Sequence, residues 1–150
     1  MTSPFNQRGK LSKRRRIIDF NGLFWFNTRA RKEIDACAEA GAYLAGCVLV
    51  GAMTETLMML MLRLFPSVVY RRGKKLKDHW GLKELDEFAR DCGWFDQATY
   101  EAAERIRICR NLLHPNWYAA RKPRRITKGL LTAMESDFSA VMDCVTSWVV

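Results

Sequence analysis

From Ala40 to Leu62 the chain carries a single charged side chain, Glu55. A stretch so long and apolar has two physical outcomes. Either it spans a bilayer, which takes about 20 predominantly apolar residues, or it is a helix enclosed by the rest of the fold. Glu55 argues for the second, because a carboxylate in hydrocarbon is costly unless paired. Gly41, Gly46 and Gly51 also interrupt the run. The expectation is a buried central helix with Glu55 turned toward a polar partner, and no membrane association.

The remaining chain has to supply what encloses it. At 150 residues there is room for one domain with a single core and not for two. Residues 1–16 hold six Lys and Arg and few apolar side chains, which predicts a disordered basic arm, leaving 17–150 as one helical bundle domain. Phe20, Leu23, Phe24, Trp25 and Phe26 form a cluster too apolar to stay in water, and are expected to pack on the body or on a second subunit. No small-residue cleavage site follows the basic start, so no secretory leader is expected. The five cysteines are widely spaced, without a CxxC or zinc spacing, so reduced thiols in a cytoplasmic protein are expected.

Helical periodicity recurs along the chain, and the alternation of β-strands is missing. One long helix is predicted over Thr28 to Phe65, kinked near its glycines and ended by Pro66. In it Met53, Met58, Met59 and Met61 are read as adaptable core packing. A short helix carries Leu82, Leu85, Phe88, Ala89 and Cys92 and stops at Gly93. Asp96 caps a helix over Gln97 to Leu113, which Pro115 ends. Thr127 caps a last helix with the stripe Leu130, Leu131, Met134, Phe138, Val141, Met142, Val145, Trp148 and Val149. The fold class is all-α, a bundle of four or five helices.

One segment concentrates chemistry. Arg107, Arg110, Asn111 and His114 fall at i, i+3, i+4 and i+7, on one helical face, while Ile106, Cys109, Leu112 and Leu113 make the other face apolar. Two guanidiniums, an amide and an imidazole on one face are the parts of an anion-binding and proton-transfer site. From Arg105 to Lys128 there are eight Lys and Arg and no acid, a segment that attracts a polyanion. Arg105, Tyr118, Arg121, Lys122, Arg124 and Arg125 are the candidate RNA contacts, Tyr118 by stacking. Trp117 reads as a loop anchor, His79 as an exposed loop side chain and Cys109 as an inert thiol. The plainer alternative for His114 is a helix-end cap, with Arg110 and Asn111 bonding loop carbonyls. Glu55 is a candidate structural partner for Arg110 or Arg107, since a carboxylate in an apolar run needs a cation.

Arg110-Asn111-Leu-Leu-His114-Pro115, late in a helical domain and preceded by the helix ending GAMTETLMMLML, resembles the HEPN superfamily (higher eukaryotes and prokaryotes nucleotide-binding). The resemblance covers roughly residues 30 to 150. It implies a bundle built on four helices, and for many members a homodimeric, metal-independent endoribonuclease acting as a toxin or in prokaryotic defence. The family motif is an Arg and a polar residue followed, after four to six residues, by a His, two such motifs meeting at the dimer interface. Arg110 and Asn111 match the Arg-polar pair, with three residues before His114; Arg107 has six, but is followed by Ile108. By this likeness Arg110, His114, Asn111 and Arg107 are the catalytic candidates, acting on single-stranded RNA without metal or cofactor. An antitoxin or other protein partner would accompany it. The competing class is a non-catalytic interaction or nucleotide-binding module, or a regulatory subunit.

Overall fold

The computed structural model describes residues 20–64, 80–112 and 126–147, which form five α-helices with no strand among them. These are α1 (Phe20–Glu39), α2 (Tyr43–Leu64), α3 (Leu82–Asp91), α4 (Gln97–Leu112) and α5 (Lys128–Ser147). The expected all-α bundle is present; the basic arm at 1–16 lies outside the described residues, as do Trp148 and Val149.

Gly41 overturns the expectation of one helix from Thr28 to Phe65. Its φ is +72°, a conformation that glycine adopts with little penalty. Around it Ala42 N–H donates to the Cys37 carbonyl at 2.8 Å and Gly41 N–H to the Ala38 carbonyl at 3.3 Å. This 6→1 closure is a Schellman stop, so the chain reverses and α1 lies antiparallel to α2. Gly93 ends α3 by the same device, with φ +74° and Trp94 N–H donating to the Ala89 carbonyl at 2.9 Å. Helix α1 begins at Phe20, so Trp25 and Phe26 are helical; they are 69% and 39% exposed. The body does not cover these two. The side chains of Phe20, Leu23 and Phe24 lie outside the described set.

The predicted caps are in place. The Asp96 carboxylate accepts the Thr99 N–H at 2.8 Å at the start of α4, and its hydrogen bonding with Thr99 holds that carboxyl below its ordinary range. Thr127 Oγ1 accepts the Leu130 N–H at 3.3 Å at the start of α5.

Helix α2 packs against all four other helices. Over Tyr43–Leu62 it is long and apolar enough to cross a membrane, but just over half of that stretch is buried inside the bundle, the environment of a core helix. Val50, Met53, Leu57, Met58, Met59, Met61 and Leu62 are buried, the methionines serving the core as expected. Buried Thr54 is satisfied locally, its hydroxyl donating to the Val50 carbonyl at 2.8 Å. Helix α5 runs alongside α2, with Leu131 against Gly46 near one end and Phe138 and Met142 beside Met53 and Leu57 further along. Helix α4 lies antiparallel to α5: Arg105 binds Asp137, and the Cys144 thiol reaches the Trp94 carbonyl. Helix α3 packs on α2 and α4. None of the five cysteines is in a disulfide. Burial, with Cys109 and Glu135 nearby, pushes the Cys47 thiol up to about 11, away from reactivity.

Candidate functional site

Helix α4 presents the motif. Arg107, Arg110 and Asn111 share a face of it, as the helical spacing requires. His114 lies outside the described residues, as do His79, Trp117, Tyr118, Arg121, Lys122, Arg124 and Arg125.

Arg110 is placed by α2. A Cβ built on Gly51 would stand 2.9 Å from Arg110 Cδ, 3.1 Å from Cγ and 3.2 Å from Cβ, so the aliphatic stem lies directly on the bare backbone of that glycine. One turn further along α2, Glu55 accepts a hydrogen bond from Arg110 Nη1. Gly51 and Glu55 at i and i+4 thus make a cradle, one position for the stem and one for the charge. The expected pairing of Glu55 is present, and Arg110 rather than Arg107 is its partner. The Arg110 side chain stays 37% exposed and Glu55 30%; Asn111 is exposed.

Arg107 behaves differently. It folds back onto Glu104 of its own helix, with Nε donating to Oε1 at 2.9 Å and to Oε2 at 3.1 Å, and Nη2 to Oε2 at 2.6 Å. These side chains are 22% and 19% exposed. The hydrogen bonds to Glu104 raise the guanidinium pKa further above its ordinary value. Behind the pair is Asp86 of α3, fully buried, with neither carboxyl oxygen hydrogen-bonded. Sequence reasoning missed Asp86 and Glu104. Their signals were present: Asp86 sits on the buried stripe with Leu82, Leu85 and Ala89, and Glu104 lies three residues before Arg107, within reach on one helical face.

Arg105 belongs to another surface, about 140° around α4 from Arg110 at 100° per residue. Its Nε and Nη2 bind Asp137 Oδ2 and Oδ1 at 3.1 and 2.9 Å, so it ties α4 to α5. Among the described residues no three His, Cys, Asp or Glu side chains are grouped as metal ligands would be. A cavity of about 560 Å³ opens between α1, α2 and α5, lined by Met53, Leu57, Leu60, Phe138 and Met142 under a rim that includes Asn27 and Arg31. It lies apart from the motif.

Both motif arginines are therefore matched by carboxylates, Arg110 by Glu55 and Arg107 by Glu104. The same balance holds more widely. The described residues contain ten Lys and Arg against fourteen Asp and Glu, whereas residues 1–19, 65–79, 113–125 and 148–150 contain fifteen against two. The chain's positive excess is carried entirely by the latter. Comparison with protein-family models, curated proteins and solved structures gives no match to this chain.

Proposed function

We propose that this protein is a HEPN-like RNA-binding domain, cytoplasmic and homodimeric, whose motif face can cleave single-stranded RNA without a metal. The observation that supports it is the state of Arg110: its stem is seated on Gly51, one nitrogen holds Glu55, and more than a third of the side chain remains open beside exposed Asn111. A guanidinium has five N–H donors in a planar fork. The bond to Glu55 fixes its direction and leaves donors for a phosphate oxygen, the preorganised electrostatic arrangement that stabilises charge developing on phosphorus. His114, four residues further along the chain, would take the proton of the attacking 2′-hydroxyl and return one to the leaving 5′-oxygen. The fifteen cations outside the described residues would draw the strand in. Dimerisation is supported by the outward-facing Trp25 and Phe26, and membership of a toxin or defence system rests on the resemblance alone.

A second reading, a non-catalytic interaction module, is favoured by one specific observation: both arginines are already neutralised within the chain. The two readings part in one assay. Wild type, Arg110→Ala and His114→Ala are incubated with single-stranded RNA in EDTA, and products and folding are followed together. Cleavage by wild type, lost in both variants with folding intact, supports the nuclease. Retention of RNA by wild type without cleavage leaves a binding domain, and the lack of both overturns the proposal in favour of the module.

A further inference from the structure

The α3–α4 contact buries a titratable group that the RNA site does not use. Asp86 is inaccessible to solvent and receives no hydrogen bond. Helix α4 sends Glu104, Arg107 and Tyr100 toward it, and α3 itself adds Glu87 and Arg90, with Arg90 lying 4.3 Å over the Tyr100 ring. Helix α2, the other helix packed on α3, has one described charged side chain, Glu55, and that one is bound to Arg110.

The side chain of α4 within hydrogen-bonding reach of Asp86 belongs to another acid. Glu104 is within reach, yet its carboxylate is an acceptor, and both its oxygens already hold Arg107. If Asp86 were ionised, two acceptors would face each other in a buried contact, one with no donor at all, an arrangement whose desolvation nothing offsets. A single proton removes the conflict. A protonated carboxyl has an O–H to donate, and two carboxylate oxygens have lone pairs enough to accept it together with the guanidinium.

We propose that Asp86 is held as a neutral carboxylic acid whose hydroxyl donates to Glu104, so that the α3–α4 contact is a proton-dependent latch behind Arg107. Burial first, and then the charge of Glu104, raise the Asp86 pKa to about 8, against an opposing pull from Arg107. The folded state therefore keeps a proton that the unfolded chain releases near its ordinary value of about 4. Stability from this group is fully present below about pH 4 and declines as pH rises toward about pH 8, where the latch opens. Above that, two adjacent carboxylates share one guanidinium and α3 is loosened from α4.

The test is spectroscopic and thermodynamic and does not depend on RNA. Infrared difference spectra of wild type are recorded across the neutral and alkaline range, alongside the pH dependence of thermal unfolding for wild type, Asp86→Asn and Glu104→Gln. The expected result is a protonated-carboxyl carbonyl stretch in wild type at neutral pH that disappears on titration near pH 8, together with a melting temperature that falls between about pH 4 and pH 8 and levels off above it. In Asp86→Asn an amide donates to Glu104 at every pH, so both the band and that fall should vanish. In Glu104→Gln the new amide can donate to an ionised Asp86, so the band should again be absent at neutral pH. Wild type without the band at neutral pH overturns the proposal, and so does a pH profile unchanged by Asp86→Asn. If either variant fails to fold, the wild-type band and its titration decide alone.

Discussion

One turn apart on α4, two arginines meet carboxylates in opposite ways. Arg110 reaches to a different helix, rests on Gly51, spends one donor on Glu55 and keeps a third of its surface open. Arg107 turns back on its own helix, commits Nε and Nη2 to Glu104 and covers a buried acid. The first depends on how α2 and α4 sit against each other and commits one donor; the second commits two to its own helix and lies less open to a ligand. Residues that the spacing makes equal are thus unequal in what they can offer a ligand, and Arg110 is the better candidate for the motif arginine.

Arg107→Ala is the sharpest way to break this contrast. Removing one partner of a buried ion pair costs about 3–5 kcal/mol, and with a fifth of each side chain exposed the loss expected here is about 2–3 kcal/mol, measured by denaturant unfolding. A loss no larger than that of Arg110→Ala would mean that the two pairs are equivalent after all. Gly51→Val comes next. Its Cβ would fall 2.9 Å from Arg110 Cδ and 3.2 Å from Cβ, and because Cβ is fixed to the backbone, α4 itself has to shift. Overpacking of this kind costs about 1–3 kcal/mol, set against roughly 0.4 kcal/mol gained by replacing a helical glycine with β-branched valine. RNA retention should fall with it, whereas Arg107→Ala should leave more of that retention intact. Equal losses of RNA binding in both would erase the distinction between the arginines.

How much of this could be read from residues alone divides along the same line. The helical class, the caps at Asp96 and Thr127, the methionine core and the need of Glu55 for a cation all follow from local pattern or from the isolation of one charge in an apolar run. The break at Gly41 did not, because a glycine in such a run is equally compatible with a kink, and only its positive φ with the closing bond from Ala42 to Cys37 marks the stop. Asp86 did not, because an acid on an otherwise apolar stripe gives no sign of whether it is paired, protonated or displaced. Net charge does not say where the charge lies: the total is +9, yet the described helices are acidic on balance and both motif arginines are matched by carboxylates.

Glu55→Gln addresses the half-open pair directly. The amide keeps the shape and an acceptor but removes the charge, so stability should fall by at most about 1 kcal/mol, as for partly exposed ion pairs. Retention of single-stranded RNA should rise, because a phosphate no longer competes with a carboxylate for Arg110. The rise should shrink with added salt. A loss of retention would instead show that Glu55 is needed to aim the guanidinium, making orientation worth more than charge at this site.

Arg105→Ala should have the smallest effect, and it tests whether proximity along α4 is enough to make an arginine part of the site. Arg105 and Asp137 form a two-point hydrogen bond that is largely open to water on the side of Arg105, and exposed pairs contribute about 0.2–1 kcal/mol. The hydrogen bonds that Arg105 donates to Asp137 raise its pKa, so the guanidinium stays charged through the neutral range. Because its guanidinium is directed to α5 and away from Arg110, RNA retention should be unchanged at moderate salt. A drop in RNA retention as large as that of Arg110→Ala would mean that a strand wraps around α4 and is not held on one face, and the separation between the two surfaces would have to be abandoned.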